Sequence, residues 1–236
     1  MKKLTIVVAT LAILALGAGT ALAQFITNGD FSAGNSGFTS AYLYFAQPAV
    51  PASGYTSPKS SLYDEGTYGV GTDPGLYHAS WAHLGDHTTG TGNMMIVNGD
   101  TTPNVVYWSE FVTGLTSGQT YYFSAWLTSI YPPPVGSTPI QPAVLAFSMN
   151  GTQIDGDITV SQPVGTWDLF YNSFVATGTT ATLSVINRNT VAGGNDFAMD
   201  DLSLTTSIPS VPEPATLLLL GFGLFGVGFV GRKIKK

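Results

Sequence analysis

The sequence predicts an all-β fold, an antiparallel β-sandwich over residues 24–204, and three observations carry that prediction. Short runs rich in β-branched and aromatic residues alternate with turns built from Gly, Pro, Asn, Ser and Thr. No convincing helical pattern exists outside the two ends of the chain. An Asn150-Gly151 pair separates two of the β-like runs, which is the strongest short-range signal for a hairpin. Many short strands with turns between them bury their apolar faces by packing as two sheets.

Taken in order, the first element is an export signal at residues 1–23. Lys2 and Lys3 precede an apolar stretch over 4–16, and Ala21 and Ala23 supply the small residues that signal peptidase requires, leaving Gln24 as the new terminus. The strands follow. Residues 25–26 and 94–97 are short candidates, and 105–112 is longer. Residues 120–127 (TYYFSAWL) alternate Tyr121, Phe123, Ala125 and Leu127 against Tyr122, Ser124 and Trp126. Residues 143–149 pass through the Asn-Gly turn into 152–154, and further runs cover 167–175, 181–187 and 197–204. Proline-rich stretches at 48–58 and 131–142 read as extended surface loops, and 205–211 reads as a linker.

The last segment is unlike the rest. Residues 215–231 hold no charge, and as a helix they would reach about 25 Å, at the short end of what crosses a hydrocarbon core. Apolar residues surround that helix on every side, so it has no polar face to offer water. Pro212 and Pro214 mark its start, with Glu213 between them. Arg232, Lys233, Lys235 and Lys236 follow it and would stay on the cytoplasmic side, placing the sandwich outside.

Charge and cysteine content exclude whole classes of function. Six of the eight basic residues lie in the two end segments, leaving Lys59 and Arg188 against thirteen acidic residues in between. A surface so negative repels phosphate backbones, so nucleic acid is not a partner. It suits cations instead. With no cysteine in the chain, no disulfide staples this exported domain. About 185 residues nevertheless bury enough surface to hold a core without staples.

Residues 211–236, a Val-Pro-Glu-Pro, a short apolar helix and a basic end, closely resemble the PEP-CTERM sorting signal of Gram-negative bacteria, a tail also known as the ice-binding protein C-terminal domain. That resemblance implies transient tethering in the inner membrane and cleavage near Pro212, Glu213 and Pro214 by an exosortase. The product would then pass to the cell envelope or extracellular matrix. The central region carries Asn28-Gly-Asp-Phe31, residues 85–93 (GDHTTGTGN) and residues 194–204 (GNDFAMDDLSL), with Trp126 and Trp167 in its strands. This series resembles the galactose-binding-like jelly rolls of bacterial carbohydrate-binding modules. The resemblance implies a structural calcium joining the first and last strands, with Asp30, Asp200 and Asp201 at the matching positions. Family members often have Glu where this chain has Ser32.

Adjacent strand residues point to opposite faces, so one of Asp200 and Asp201 is expected inside the sandwich unless a bulge intervenes. A cation would satisfy it; so would loop amides at a strand end. His78, His83 and His87 surround Asp86 in sequence and raise the idea of zinc, but their spacing converges only on a helix, and Gly85 and Gly90 argue for loop. Asp86 and Thr88 are expected to hold that loop by hydrogen bonds to its backbone.

Three functions remain open. The first is non-catalytic polysaccharide binding, for which Tyr42, Tyr44, Tyr55, Tyr63, Tyr68, Tyr77 and Trp81 are either stacking platforms or core. The second is glycan processing, for which Asp64, Glu65, Asp86 and Glu110 are the available carboxylates, although no nucleophile or metal motif accompanies them. The third is ice binding, for which Thr88, Thr89 and Thr91 form only a brief cluster.

Overall fold

The computed structural model describes residues 25–132 and 141–209, which form ten strands and a single 3-10 turn at Pro74–Leu76. The strands are β1 (Leu43–Tyr44), β2 (Thr67–Gly71), β3 (Met94–Asn98), β4 (Val106–Thr113), β5 (Thr120–Ser129), β6 (Val144–Met149), β7 (Thr152–Thr159), β8 (Asp168–Val175), β9 (Thr180–Asn187) and β10 (Phe197–Thr205). They pair as a six-stranded sheet, β1-β2-β3-β10-β5-β8, and a four-stranded sheet, β4-β9-β6-β7. Every pairing is antiparallel except that of the two-residue β1 with β2. From β4 onward the chain crosses repeatedly from one sheet to the other, the winding of a jelly-roll sandwich. The all-β sandwich read from the sequence is the fold observed.

Alternation builds the core as expected. Tyr121, Phe123, Ala125 and Leu127 of β5 face inward with Met199 and Leu204 of β10, meeting Trp108, Leu145, Phe147, Leu183 and Val185 from the other sheet. The six-stranded sheet is also covered on part of its outer face. Met94 and Ile96 of β3 and Ala198 of β10 turn outward, and Leu62, Tyr77 and Trp81 from the long connection over 45–93 bury them in a second core. Half of the outer face therefore lies beneath a layer of loops.

Two strands were not foreseen, β1 and β2. Glycine is depleted in strands, and Thr67-Tyr-Gly-Val-Gly71 has two of them. Their reason is Tyr77, whose ring lies across the strand: a Cβ would come within 2.5 Å of that ring at Gly69 and of its hydroxyl at Gly71. The short run at 25–26 is not a strand, although Ile26 is fully buried in the main core. The export segment with Ala21, Ala23 and Gln24, most of the 131–142 loop, the sorting residues Pro212, Glu213 and Pro214, the expected helix over 215–231 and the basic residues Arg232, Lys233, Lys235 and Lys236 lie outside the described residues.

The start of the domain is fastened to its last strand. Leu202 N–H donates to the Gly29 carbonyl at 2.9 Å, and a Cβ on Gly29 would sit 2.1 Å from the Leu202 carbonyl oxygen. Gly29→Ala is therefore expected to destabilise the domain by about 2–3 kcal/mol, since backbone must move to admit the methyl group. Gly54, where an added Cβ meets nothing within 4 Å, is the control. Urea denaturation of the two alanine variants measures the difference.

Candidate functional site

Where β3 and β5 end and β10 begins, the six-stranded sheet opens into a cleft of about 140 Å³. Register places these ends together, since Phe197 pairs with both Val97 and Ser129. Tyr55, Tyr63 and Tyr131 supply aromatic wall, and Glu65, His78, Ser80, Asn98, Asn195 and Asp196 supply polar groups.

The loops that form the wall are held by their own side chains. Asp64 is buried and accepts from the Thr56 amide and hydroxyl and from the Ser60 amide, which folds residues 56–64 into a compact turn. Tyr55 and Tyr63 thereby meet edge to face, with ring centroids 4.9 Å apart at 87°. Asp73 caps the 3-10 turn by accepting from Gly75 N–H, after which Tyr77 donates its hydroxyl hydrogen to the Val70 carbonyl. His78 then enters a stack between Tyr63 and Trp81, at centroid distances of 4.3 and 4.5 Å.

At the bottom lies Asp196. Its Oδ2 accepts from Trp81 Nε1 at 3.1 Å and its Oδ1 from Gly99 N–H at 3.3 Å. Burial pushes this carboxyl up to about 7, despite those two donors, and the charge of Glu65 adds to the shift. Burial also raises Glu65, with Asp100 contributing. The same desolvation lowers His78 to about 4, so its ring is neutral at ordinary pH. The site is thus an aromatic recess over two carboxyl groups.

Of the seven aromatic residues noted in the sequence, Tyr42, Tyr68, Tyr77 and Trp81 are core, whereas Tyr44, Tyr55 and Tyr63 reach the surface and the last two form the cleft. Asp196 and Tyr131 were not singled out as site residues. Only the packing of Trp81 against the sheet brings Asp196 to the 48–66 loop, and no local pattern announces that.

The three aspartates of the expected calcium site lie at the start of the domain and at an irregularity of β10. A bulge falls between Asp200 and Ser203, and Asp201 adopts a positive φ of 47°. Both carboxylates consequently meet the 87–88 segment, and neither enters the sandwich. Asp200 accepts from His87 N–H at 3.0 Å and Asp201 N–H at 2.8 Å. Asp201 accepts from His87 Nδ1 at 2.7 Å and from the Thr88 hydroxyl, and Asp30 accepts from the Ser32 amide and hydroxyl. These donors engage both oxygens of Asp200 but one oxygen each of Asp30 and Asp201, and among the described residues no three His, Cys, Asp or Glu side chains gather as a metal site. Asp30 and Asp201, together with Asp86, line one cavity of about 380 Å³, and the calcium there is an expectation that rests on the resemblance.

The histidines are also separate. His83 pairs with Asp73, His87 with Asp201 while stacking on Trp126 at 3.7 Å, and His78 with its aromatic neighbours. Asp86 holds its loop as expected, accepting from the Thr89 and Gly92 amides, whereas Thr88 bonds the Asp201 carboxylate in place of backbone.

Comparison with known proteins gives one sequence match. Residues 210–233 match the PEP-CTERM protein-sorting motif. This is an exported, exosortase-processed surface or extracellular protein. No curated protein matches the chain. Among solved structures, the C-terminal domain of EclA, a sugar-binding protein, is 22% identical over 45% of this chain and 69% of that one, with a TM-score of 0.36. The module TmCBM61, solved with β-1,4-galactotriose, is 13% identical over 78% and 99%, with a TM-score of 0.44. An apo cyclase from Fischerella sp. is 14% identical over 80% and 97%, with a TM-score of 0.49.

Two pH effects follow from the carboxyl groups. Asp196 and Asp200, both pushed up to about 7 chiefly by burial, hold protons in the folded state that the unfolded chain has released. Between about pH 4 and 7 these two groups make stability fall as pH rises; His78, lowered to about 4, opposes them up to about pH 6.5 and cancels roughly one of the two. Burial pushes Asp64 and Asp86 up too, but their hydrogen-bond donors outweigh it and hold both below the usual range, a contribution lost in stronger acid. The melting temperature should therefore be modestly higher at pH 5 than at pH 8, should drop again below pH 4, and should lose most of the first slope in Asp196→Asn, because His78 offsets Asp200.

Proposed function

We propose that this protein is a non-catalytic, polysaccharide-binding component of the cell surface or extracellular matrix, and that the Tyr55–Tyr63 cleft holds the sugar. The observation that carries the reading is the pairing of exposed aromatic faces with a few fixed polar groups in one recess. A pyranose ring presents axial C–H groups to an aromatic face and hydroxyl groups to carboxylates and amides, and the cleft has both kinds of partner. Tyr55 is 72% exposed, a large apolar surface to leave in water on a domain with so full a core.

Position supports the reading. β10 begins beside the cleft at Phe197 and ends at Thr205, about 30 Å away for a nine-residue strand. The sorting motif follows a few residues later. Phe25 packs edge-on against Tyr121 at that same far end, because β5 runs antiparallel to β10. Both processed ends thus sit at one pole and the cleft at the other. A chain cut by signal peptidase before Gln24, tethered through 215–231 and then cut by an exosortase near Pro212–Glu213–Pro214, would keep its cleft turned away from the membrane throughout.

Two carboxyls in one cleft also suit a glycosidase. Against that reading, both oxygens of Asp196 are engaged by Trp81 and Gly99, which suits holding rather than proton transfer. Asp64, Asp86 and Glu110 are each tied to a backbone amide elsewhere. Thr88 and Thr89 turn onto Asp201 and Asp86, which argues against a threonine array for ice.

The test is retention of the full chain on polysaccharide prepared from the producing cells, measured by affinity electrophoresis. Tyr63→Ala should reduce retention at least tenfold, whereas Tyr171→Ala, at an exposed site on β8 remote from the cleft, should not. Mass spectrometry of the form recovered from cells should show a start at Gln24 and an end near Pro212. A species running intact from Met1 to Lys236 would remove the sorting half of the proposal.

A further inference from the structure

We infer that the cleft selects a sugar bearing a free ammonium group, a de-N-acetylated hexosamine, over its neutral or acidic counterparts. The inference rests on the saccharide reading above and specifies the ligand's charge.

The lining has the composition that recognises an organic cation. Tyr55 and Tyr63 meet edge to face and His78 covers one face of Tyr63, so Tyr55, 72% exposed, offers the open electron-rich surface, and Tyr131 adds a third ring. An ammonium group is attracted to such faces within about 6 Å, and more strongly when partly desolvated. Glu65 and Asp196 lie in the same recess with no cationic side chain among the lining residues. The nearest base is Lys59, and its ammonium hydrogen-bonds the Glu65 carbonyl, outside the lining set. His78 is the remaining titratable group there, and burial keeps it neutral. Burial raises both carboxyls; Lys59 offsets part of the rise at Glu65, but Asp196 has no cation beside it and the charge of Glu65 pushes it further up. A ligand ammonium relieves that repulsion. A uronate or sulfated sugar would instead add a third negative group to a domain with two basic residues against thirteen acidic ones between its processed ends.

Size narrows the choice further. Pockets that enclose a drug-sized molecule measure about 300–1,000 Å³, and this one is about 140 Å³. It has room for a single ring or a chain end. A polysaccharide would therefore be held one residue at a time, where the charge on that residue decides the contact.

The experiment is calorimetric titration of the full chain, in a sugar-free non-ionic detergent at pH 7, with three probes: a glucosamine tetramer, an N-acetylglucosamine tetramer and a neutral galactose tetramer. The glucosamine tetramer should bind at least tenfold tighter than the other two and should weaken as salt is raised. Glu65→Gln, which keeps the side chain's shape, should abolish the preference, and Tyr63→Ala should weaken the glucosamine tetramer at least tenfold. Equal or reversed affinities would overturn the charge preference while leaving the cleft a saccharide site. A preference that survives both substitutions would be bulk attraction to an acidic surface and would overturn the inference. Failure of all three probes to bind would count against the saccharide reading itself.

Discussion

The structure depends on burying the central pair of strands, β3 and β10, on both faces. Met95, Val97 and Met199 point into the sandwich, and Met94, Ile96 and Ala198 point out of it beneath Leu62, Tyr77 and Trp81. A sheet with one wet face would leave those outward methionine and isoleucine side chains in water. Covering them requires the long 45–93 connection to lie flat on the sheet, and the glycines of β2 are what allow Tyr77 to come close enough. The cleft is a consequence: it is the seam where this loop layer ends and the tip of the sheet begins.

Acidity without cations shapes the rest. In most domains a buried aspartate finds an arginine or lysine, but here Arg188 pairs with Asp157 at the surface and Lys59 is taken up by the Glu65 carbonyl. The buried aspartates turn to N–H groups instead. Asp64 and Asp86 gather enough donors to stay ionised, and each fixes a loop. Asp196 and Asp200 gather fewer relative to their burial, and remain protonated toward neutral pH. One pair of carboxylates acts as structural clips, and the other is poised to respond to what approaches.

The sequence was most informative where the physics is local. Alternation in residues 120–127 and the Asn150-Gly151 turn reappear as β5 and the β6–β7 hairpin, because period-two burial and positive-φ turn residues leave their mark on neighbouring positions. The sorting tail is legible for the same reason, since apolar length and flanking charge are contiguous. The candidate site is built differently. Tyr63 and Asp196 are separated by most of the domain and meet only because Trp81 spans from the loop layer to β10. The pairing of Asp200 and Asp201 with the 87–88 loop turns on one bulge, and a bulge shifts the facing of every residue after it. Neither event has a signature in a short window.

Both ends of the described domain lie at one pole, and that placement constrains how the cleft works. At the tip of β10 the cleft projects along the strand direction, about 30 Å beyond the last residue of that strand. Because β10 is hydrogen-bonded on both sides, to β3 and β5, the distance between its last residue and the cleft is set by a rigid element. The acidic surface adds a second effect, since like-charged domains repel one another and leave each tip accessible. The end of β10 that leads to the sorting motif and the cleft are therefore separated by the length of one strand, and no cleft residue lies in the sorting motif or before Tyr55.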